Sequence, residues 1–319
     1  MGRAKIARIW PPIAAIAMLA TVAACDQAPA PPMLSPKAAV ATVHAPAPID
    51  VDGETARLQA ALHREIPNLA VDTPDASRKW IDRAQSAIAT SDFKIDRAQL
   101  VVVVDRNPQT QQMRILLARP EGSWIDLGGT KVSTGQTGRR DYYITPTGVF
   151  LHTDAILDWR AEGTFNENHI RGLGVKGMRV WDFGWQTATK GWGTGESGDI
   201  RLLLHATDPD YLERRIGHPA SKGCVRIPAV MNRFLDQYGV LDADYERAAK
   251  SDIRFAALLL STRTPTLLAG DALVIVDSSE ALPATALTAP AAHSGDRPSK
   301  AAGIGNPQRA ELAGNIGCS

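Results

Sequence analysis

The sequence is poor in cysteine, in aromatic side chains and in net charge. Its 319 residues include three cysteines, 6% aromatics, and 35 basic against 34 acidic side chains, for a formal net charge of +1. An odd cysteine count does not make a disulfide scaffold, and balanced charge does not suit a protein that binds nucleic acid or another polyanion. With 44% apolar residues, the chain can bury a sizeable core and is not disordered throughout.

Patterns that hold metals or nucleotides are also missing. The chain has no Cys-x-x-Cys, no His-Glu-x-x-His and no Gly-Lys-Ser/Thr loop. His205, His218 and Cys224 lack a fourth ligand at a convincing spacing. We therefore expect no metal and no cofactor. His218 is interpreted as a loop residue, and Cys318 as a spare thiol, because its pairing with Cys224 would block a nucleophile.

The apolar run near the amino end is too short to span a bilayer. Ile13 to Ala24 gives twelve uncharged residues after a basic start, whereas a spanning helix needs about 20. Residues 1–24 therefore predict a signal peptide. The run ends Val22-Ala-Ala-Cys25, which is similar to the lipobox of bacterial lipoproteins and implies that Cys25 is lipidated and holds the chain on a lipid bilayer. An ordinary secreted protein cut after Ala24, or a short uncleaved anchor, remains open.

Two further segments have biased composition. Residues 25–53 are rich in proline and alanine, which favours an extended tether reaching on the order of 80 Å. Asp26 resembles the signal that keeps lipoproteins in the inner membrane, so we expect a periplasmic location at the inner rather than the outer membrane. Residues 278–319, rich in Ala, Pro, Gly and Ser, predict a disordered tail.

Periodicity between these segments predicts a mostly β fold with a few helices. Apolar spacing indicates two short helices within residues 54–97, which we expect to pack on the main domain; a separate binding module is the alternative. Runs of β-branched and apolar residues then predict a mostly antiparallel β domain over residues 98–277. The predicted helices are Thr55–Ile66, Ala76–Ala89 and Pro228–Tyr238, and the predicted strands are Leu100–Val104, Met113–Leu117, Trp124–Leu127, Lys131–Ser133, Val180–Phe183, Arg201–His205 and Ala272–Val276.

Four sequence elements within the β domain point to one family. Ser221-Lys-Gly-Cys-Val-Arg226 follows His205 with fifteen residues between the histidine and the serine, and Val132–Gly135 and Thr145–Phe150 come before them. In this order the elements resemble the L,D-transpeptidases of the YkuD type. The resemblance implies a YkuD-like β-sandwich, or curved mixed sheet, in which the catalytic cysteine turn leads into a helix. It also implies a monomer that acts on peptidoglycan stem peptides.

The residue types support nucleophilic chemistry without the family name. A thiol of ordinary pKa is mostly protonated at neutral pH, so Cys224 needs a base, and His205 at the end of an apolar strand is a reasonable one. Gly223 allows a sharp turn that points the N–H groups of Gly223 and Cys224 at one oxygen, forming an oxyanion hole. A helix starting near Pro228, and Lys222 if it faces inward, would favour the thiolate. We expect the sulfur to face an open groove.

The remaining site roles come from the resemblance. It implies that the backbone carbonyl of Ala206 orients the imidazole, with Asp208 as a competitor. It also implies that Arg226, Ser221 and Lys222 bind substrate. Arg226 could instead solvate its face or pair with an acid, and Ser221 could be a turn-forming hydroxyl.

A tryptophan- and glycine-rich segment lies between Phe150 and Arg201. We interpret part of it as a flexible loop that could cover the cleft, with aromatic rings available to stack on a sugar or acyl chain. The alternative is that the tryptophans fill the core. The four tryptophans of this segment are Trp159, Trp181, Trp185 and Trp192.

Together these observations predict a lipid-anchored cysteine transpeptidase that forms L,D cross-links in peptidoglycan through a Cys224 thioester. Two alternatives remain open. An L,D-carboxypeptidase would use the same residues with water as the acceptor, and a non-catalytic lipoprotein would bind the wall through the same fold.

Overall fold

The computed structural model describes residues 48–281. The predicted signal peptide, Cys25, most of the tether, nearly all of the tail and Cys318 lie outside the described residues. Within residues 48–281, no helix has the length and apolar character needed to cross a membrane. In the same range, no group of three or more His, Cys, Asp or Glu side chains is arranged to hold a metal ion.

The predicted class, mostly β with a few helices, is confirmed. The strands are β1 (Gln99–Asp105), β2 (Gln112–Ala118), β3 (Ile125–Lys131), β4 (Tyr143–Ile144), β5 (Gly148–Leu151), β6 (Trp159–Arg160), β7 (Arg179–Lys190), β8 (Ser197–Ala206), β9 (Val225–Ile227) and β10 (Ala272–Val276). The α-helices are α1 (Val51–Glu65), α2 (Pro74–Ala89), α3 (Ala229–Tyr238), α4 (Ala243–Ala248) and α5 (Ile253–Leu258).

The first sheet, sheet A, has the strand order β3-β2-β1-β10-β5. Its pairs are antiparallel except for β1 with β10, which is parallel. Side chains of β1 alternate between two apolar clusters, with Val102 on one face and Val103 on the other. Burial on both faces explains why the β1 sequence is an unbroken apolar run rather than an alternating one.

The second sheet, sheet B, has the order β4-β7-β8-β9, with β6 added alongside β7. β7 and β8 form a long antiparallel hairpin, and β9 joins β8 in parallel. The main core lies between the two sheets, where Trp181, Leu204 and Val225 of sheet B pack in one cluster with residues of β1 and β2. We call this the inner face of sheet B and the opposite side its outer face.

The two amino-terminal helices pack on sheet A. Leu58 and Leu62 of α1 belong to the main core, while Trp80 and Ala84 of α2 cover the other face of the sheet. The α1 helix begins earlier than its apolar periodicity predicts, because the Asp50 side chain caps it by accepting the Gly53 N–H at 2.9 Å.

Two sequence predictions need correction. The segments predicted at Trp124–Leu127 and Lys131–Ser133 are not two strands, because β3 runs from Ile125 to Lys131 and Ser133 makes only an isolated bridge to Arg226. The strand predicted at Val180–Phe183 extends to Lys190, so much of the predicted flexible loop is the β7–β8 hairpin. The cysteine turn leads into a helix, α3, as predicted, through the three-residue strand β9.

Candidate active site

His205 lies on β8, and Cys224 directly precedes β9, the parallel neighbour of β8 in sheet B. His205 is paired in register with Arg226, and Leu204 with Val225. Because paired residues in a sheet point to the same face, His205 and Arg226 share the outer face. Cys224, two residues before Arg226, packs on that face beside Leu203. The fold therefore brings the predicted base and the predicted nucleophile to one face of adjacent strands.

The His205 imidazole is buried and held by one backbone bond. Its Nδ1 lies 2.5 Å from the Ala206 carbonyl oxygen, so Nδ1–H donates and the proton is fixed on that nitrogen. Nε2 is buried and has no hydrogen-bond partner among the described residues. Burial, and after it the charge of Arg226, lowers the pKa of His205 to about 3. The ring is therefore neutral at physiological pH, with a lone pair on Nε2.

The orienting group is the Ala206 carbonyl and not the carboxylate of Asp208. Asp208 accepts backbone N–H groups from Arg171, Asp210 and Tyr211. Although burial alone would raise its pKa, these bonds hold the pKa of Asp208 below its usual value. The carboxylate is thus engaged by the loop that follows β8.

Cys224 is less accessible than the sequence predicts. Its side chain is fully buried with Leu203 and Met178, and Sγ lies 3.5 Å from the Arg201 carbonyl oxygen. The sulfur is in a disulfide. The expectation of a free thiol facing an open groove is therefore wrong for this state of the chain.

The turn before Cys224 is built by the hydroxyl of Ser221. Ser221 Oγ donates to the Cys224 carbonyl oxygen at 2.6 Å and accepts the Gly223 N–H at 3.0 Å. Gly223 has a φ of +131°, and a Cβ there would lie 2.8 Å from Ile200 Cδ1, so the position requires glycine. Two predictions are corrected: the Gly223 N–H is bonded to Ser221 and not open to an oxyanion, and Ser221 is a buried turn residue, not a substrate contact.

Residues of the two glycine-containing segments, Val132–Gly135 and Thr145–Phe150, form hydrogen bonds with this turn. Thr145 Oγ1 donates to the Gly223 carbonyl oxygen at 2.7 Å and accepts the Gly135 N–H at 2.8 Å. The Thr134 carbonyl oxygen accepts the Ser221 N–H, and buried Gln111 bonds both the N–H and the hydroxyl of Thr134. The sequence indicated the two segments but not Gln111, which no motif marks.

Arg226 and Lys222 lie in different environments. Arg226 is 6% exposed, and its Nη1 donates to the Ala220 carbonyl oxygen at 3.2 Å. Burial lowers the pKa of Arg226 to about 10, so the guanidinium stays charged at neutral pH. The resemblance implies that Arg226 binds substrate, and this stays a prediction for a side chain that is buried here. Lys222 is half-buried, and its carbonyl oxygen accepts the Tyr143 N–H at 3.2 Å.

The amino end of α3 lies close to Cys224, because Ala229, the first residue of the helix, packs in the same apolar cluster. The Ala229 N–H donates to the Glu213 carboxylate at 3.4 Å. The stabilisation of a thiolate by this helix stays a prediction. His218 is exposed, in the loop predicted for it.

The four tryptophans between Phe150 and Arg201 occupy different positions. Trp181 is fully buried in the main core. Trp159 is half-buried against the cluster that contains Cys224, and half-buried Trp192 packs edge-on against Tyr143 at 5.0 Å. Trp185 is 67% exposed.

No sequence motif indicates a buried cluster of charges that forms between the start of β7 and the loop after α3. His152 Nε2 donates to Asp158 at 2.8 Å, and Arg179 bonds both Asp158 and Asp242. Burial alone would lower the pKa of His152, but the Asp158 carboxylate outweighs it and raises that pKa. Arg263 also bonds Asp242, at 2.7 Å. This cluster joins segments far apart in the chain and lies outside the candidate site.

Comparisons with known proteins add little to this geometry. No family model matches the chain, and no curated protein matches it. A crystal structure of an L,D-transpeptidase (Yku) from Stackebrandtia nassauensis is similar over 71% of this chain and 91% of that chain, with 17% sequence identity and a TM-score of 0.23. A superposition this loose carries no argument about residues or reaction.

Proposed function

We propose that this protein is a cysteine acyltransferase of the bacterial cell envelope, an L,D-transpeptidase that cross-links peptidoglycan stem peptides. The observation that carries the proposal is the neutral imidazole of His205. Its Nδ1–H is fixed on the Ala206 carbonyl, and its buried Nε2 is unpartnered among residues 48–281. The His205 side chain shares a sheet face with Cys224, and we propose that Nε2 acts as the general base for its thiol.

The proposed reaction has two steps. Nε2 of His205 takes the proton of the Cys224 thiol, and the sulfur attacks the carbonyl between the L-centre of diaminopimelate and D-alanine of a tetrapeptide stem. The C–N bond breaks as His205 returns the proton to the leaving amine, which leaves a thioester. An amine of a second stem, deprotonated by His205, then attacks the thioester, forming the cross-link and releasing the thiol.

The oxyanion donor follows from the turn geometry. Because the Gly223 N–H is bonded to Ser221, the proposal keeps the Cys224 N–H as the donor from this turn. In this proposal Arg226, paired in register with His205, lowers the pKa of that imidazole and does not contact the substrate. Lys222, half-buried beside the turn, is kept as a substrate contact.

Two conditions must be met before the reaction can start. The disulfide of Cys224 must be reduced, because only a free sulfur can attack a carbonyl. The apolar cover over the sulfur must also move, since Leu173 and Val175 pack against the cluster that contains Cys224. Both residues lie in the segment between β6 and β7, which substrate would have to displace.

The surroundings of the reaction are part of the same proposal. The chain would be anchored by lipidated Cys25 in a bilayer, facing the periplasm from the inner membrane, and would act as a monomer on stem peptides. Its own thiol and imidazole would serve without a cofactor.

The state of Cys224 favours a second candidate function. A sulfur that is buried and disulfide-bonded suits a non-catalytic lipoprotein that binds the wall and uses Cys224 for structure. This candidate predicts that reduction destabilises the chain without creating a nucleophile.

Mass spectrometry separates the candidates. The reduced chain is mixed with purified muropeptides that carry tetrapeptide stems, alongside Cys224→Ala and His205→Gln variants. The transpeptidase proposal predicts an acyl adduct on Cys224, absent in Cys224→Ala and formed at least about 100-fold more slowly in His205→Gln. Muropeptide binding without an adduct in the reduced chain would establish the second candidate. Dimeric products mean an amine acceptor, whereas tripeptides alone mean water and a carboxypeptidase.

A further inference from the structure

A β-bulge in β7 turns Trp185 to the outer face of sheet B. The register with β8 runs from Asp182 opposite Leu203 to Trp185 opposite Arg201, so three steps on β7 match two on β8. Without the extra residue, Trp185 would follow Phe183 onto the inner face, because a shift of one residue exchanges the two faces. The bulge is fixed by the Gly184 N–H, which donates to Asp182 at 2.8 Å.

Trp185 is held beside a fixed guanidinium rather than in a mobile loop. Arg201 Cζ lies 5.8 Å from the centre of the Trp185 ring. Arg201 Nε lies 2.9 Å from each oxygen of the buried Asp182 carboxylate, and Nη2 lies 2.7 Å from one of them. Yet Trp185 remains 67% exposed. Bulges recur beside functional sites because they re-aim one side chain, and this one exposes a flat aromatic face.

This aromatic face and Cys224 share the outer face of sheet B. Extending the β8–β9 register back by one residue places Cys224 beside Leu203, and Arg201 lies two residues before Leu203 on β8. Trp185 is on β7, on the other side of β8 from β9. With about 3.3 Å per residue along a strand and about 4.8 Å between strands, the two positions are roughly 12 Å apart.

That separation matches the distance between the sugar and the scissile carbonyl in the substrate of the proposed function. In a tetrapeptide stem, three residues separate the sugar from the carbonyl that Cys224 would attack, and three extended residues span about 10 Å. With the carbonyl at the sulfur, the sugar therefore reaches the neighbourhood of Trp185.

The charges around Trp185 fit a neutral occupant better than an acidic peptide. Arg201 is paired with Asp182, and exposed Asp199 lies two residue pairs further along the hairpin, bonded to Thr187 at 3.1 Å. The three ionised groups sum to one negative charge, which disfavours the carboxylates of a stem peptide. A saccharide ring offers an apolar C–H face for the indole and hydroxyls for the polar groups beside it.

We infer that Trp185 and Arg201 form a saccharide subsite that takes the sugar ring next to the stem peptide. This inference rests on the proposed function and deepens it, because it assigns the glycan end of the substrate to the β7–β8 hairpin. Trp185 is thus a specificity-determining residue and takes no part in the chemistry at Cys224.

The test compares two donors with the same scissile bond, a disaccharide-tetrapeptide and the free tetrapeptide. On the reduced chain, Trp185→Ala should lower kcat/KM for the disaccharide-tetrapeptide by roughly tenfold, the size of one lost aromatic contact. It should change the rate with the free tetrapeptide by less than about twofold. Trp185→Phe should restore most of the loss. Equal losses on both donors, or no loss on either, would overturn the subsite.

A matched control and a binding measurement complete the design. Phe165→Ala removes another exposed ring that lies 4.0 Å from an arginine, Arg171, and should leave the ratio of the two donors unchanged. Binding of the peptide-free disaccharide is followed by indole NMR signals in the unaltered chain and in Trp185→Ala. If neither donor acylates Cys224 but the disaccharide still shifts the Trp185 signal, the subsite stands and the proposed function fails. If the disaccharide shifts no Trp185 signal, the subsite is wrong.

Discussion

The imidazole of His205 stays neutral through the physiological range because its surroundings oppose a positive charge. Burial, and then Arg226, lowers its pKa from 6.5 to about 3. We predict that the NMR signals of the His205 ring do not move between pH 8 and 5. Arg226→Met should raise this pKa, because it removes the second cause, whereas Arg226→Lys should keep it low. A titration midpoint near 6.5 in the unaltered chain would contradict the prediction.

The lowered pKa of His205 also makes the stability of the folded chain sensitive to acid. Between pH 6.5 and 3 the unfolded chain carries a proton on this histidine and the folded chain does not, so the unfolded state binds more protons. The free energy of unfolding therefore falls as pH drops through this window. His205→Gln should flatten that part of the stability curve in urea unfolding measured from pH 7 to 4.

Ser221 supports the site through its hydroxyl and not through substrate. Ser221→Ala removes the bonds to the Gly223 N–H and the Cys224 carbonyl and leaves two buried polar groups unpaired. We predict a loss of about 1–3 kcal/mol in the free energy of unfolding, together with slower alkylation of reduced Cys224. Ser86→Ala on α2, also buried, is the control and should leave the alkylation rate unchanged. An unchanged rate in Ser221→Ala would contradict the role assigned to the turn.

Among the strands and helices, the sequence predicted those that are marked by a local pattern of apolar and polar residues. β10 has its predicted bounds, because it is an apolar run closed by polar residues at both ends. The length of β7 was not predictable, because its bulge breaks the alternation that marks a strand. β9 was missed because three residues give no periodicity. The hydrogen bond from His205 to Ala206 involves a backbone carbonyl, and sequence could suggest it only through resemblance.

The Gly135 segment packs directly against the strand that borders the cysteine turn. A Cβ at Gly135 would lie within van der Waals overlap of the Tyr143 carbonyl oxygen, at 1.9 Å. We predict that Gly135→Ala displaces β4, costs about 1–3 kcal/mol of stability, and shifts the His205 NMR signals. Gly138→Ala, at a positive φ of +79° with open space around it, is the control. It should cost about 1 kcal/mol through backbone strain and leave His205 unchanged; a similar shift in both variants would contradict the packing argument.

For the whole molecule, the buried charge cluster joins segments between residues 152 and 263 that are far apart in the chain. Asp158 pairs with His152 and Arg179, and all three side chains are fully buried. Asp158→Asn keeps the shape and removes the charge, so buried Arg179 loses a charged partner and His152 loses a carboxylate acceptor. We predict a loss of about 3–5 kcal/mol in the free energy of unfolding, measured by urea denaturation.

Glu196→Gln is the matched control for that loss. It breaks the exposed pair with Lys190 at the hairpin and should leave the urea midpoint unchanged within error, because exposed ion pairs contribute little. If Asp158→Asn also left the midpoint unchanged, the cluster would not stabilise the fold. Sequence could not reveal this cluster, because Asp158 and Asp242 are brought together only by the packing of α3 and the loop after it.

The parallel pairing of β1 with β10 fixes the order in which the molecule can be completed. β10 lies between β1 and β5 in sheet A, yet it is the last of the described strands to be synthesised. Until β10 has been made, β5 has no neighbour in sheet A and the middle of the sheet is open. Pairing between segments so far apart in the chain is slow, so sheet A is completed only after the rest of its strands have left the ribosome.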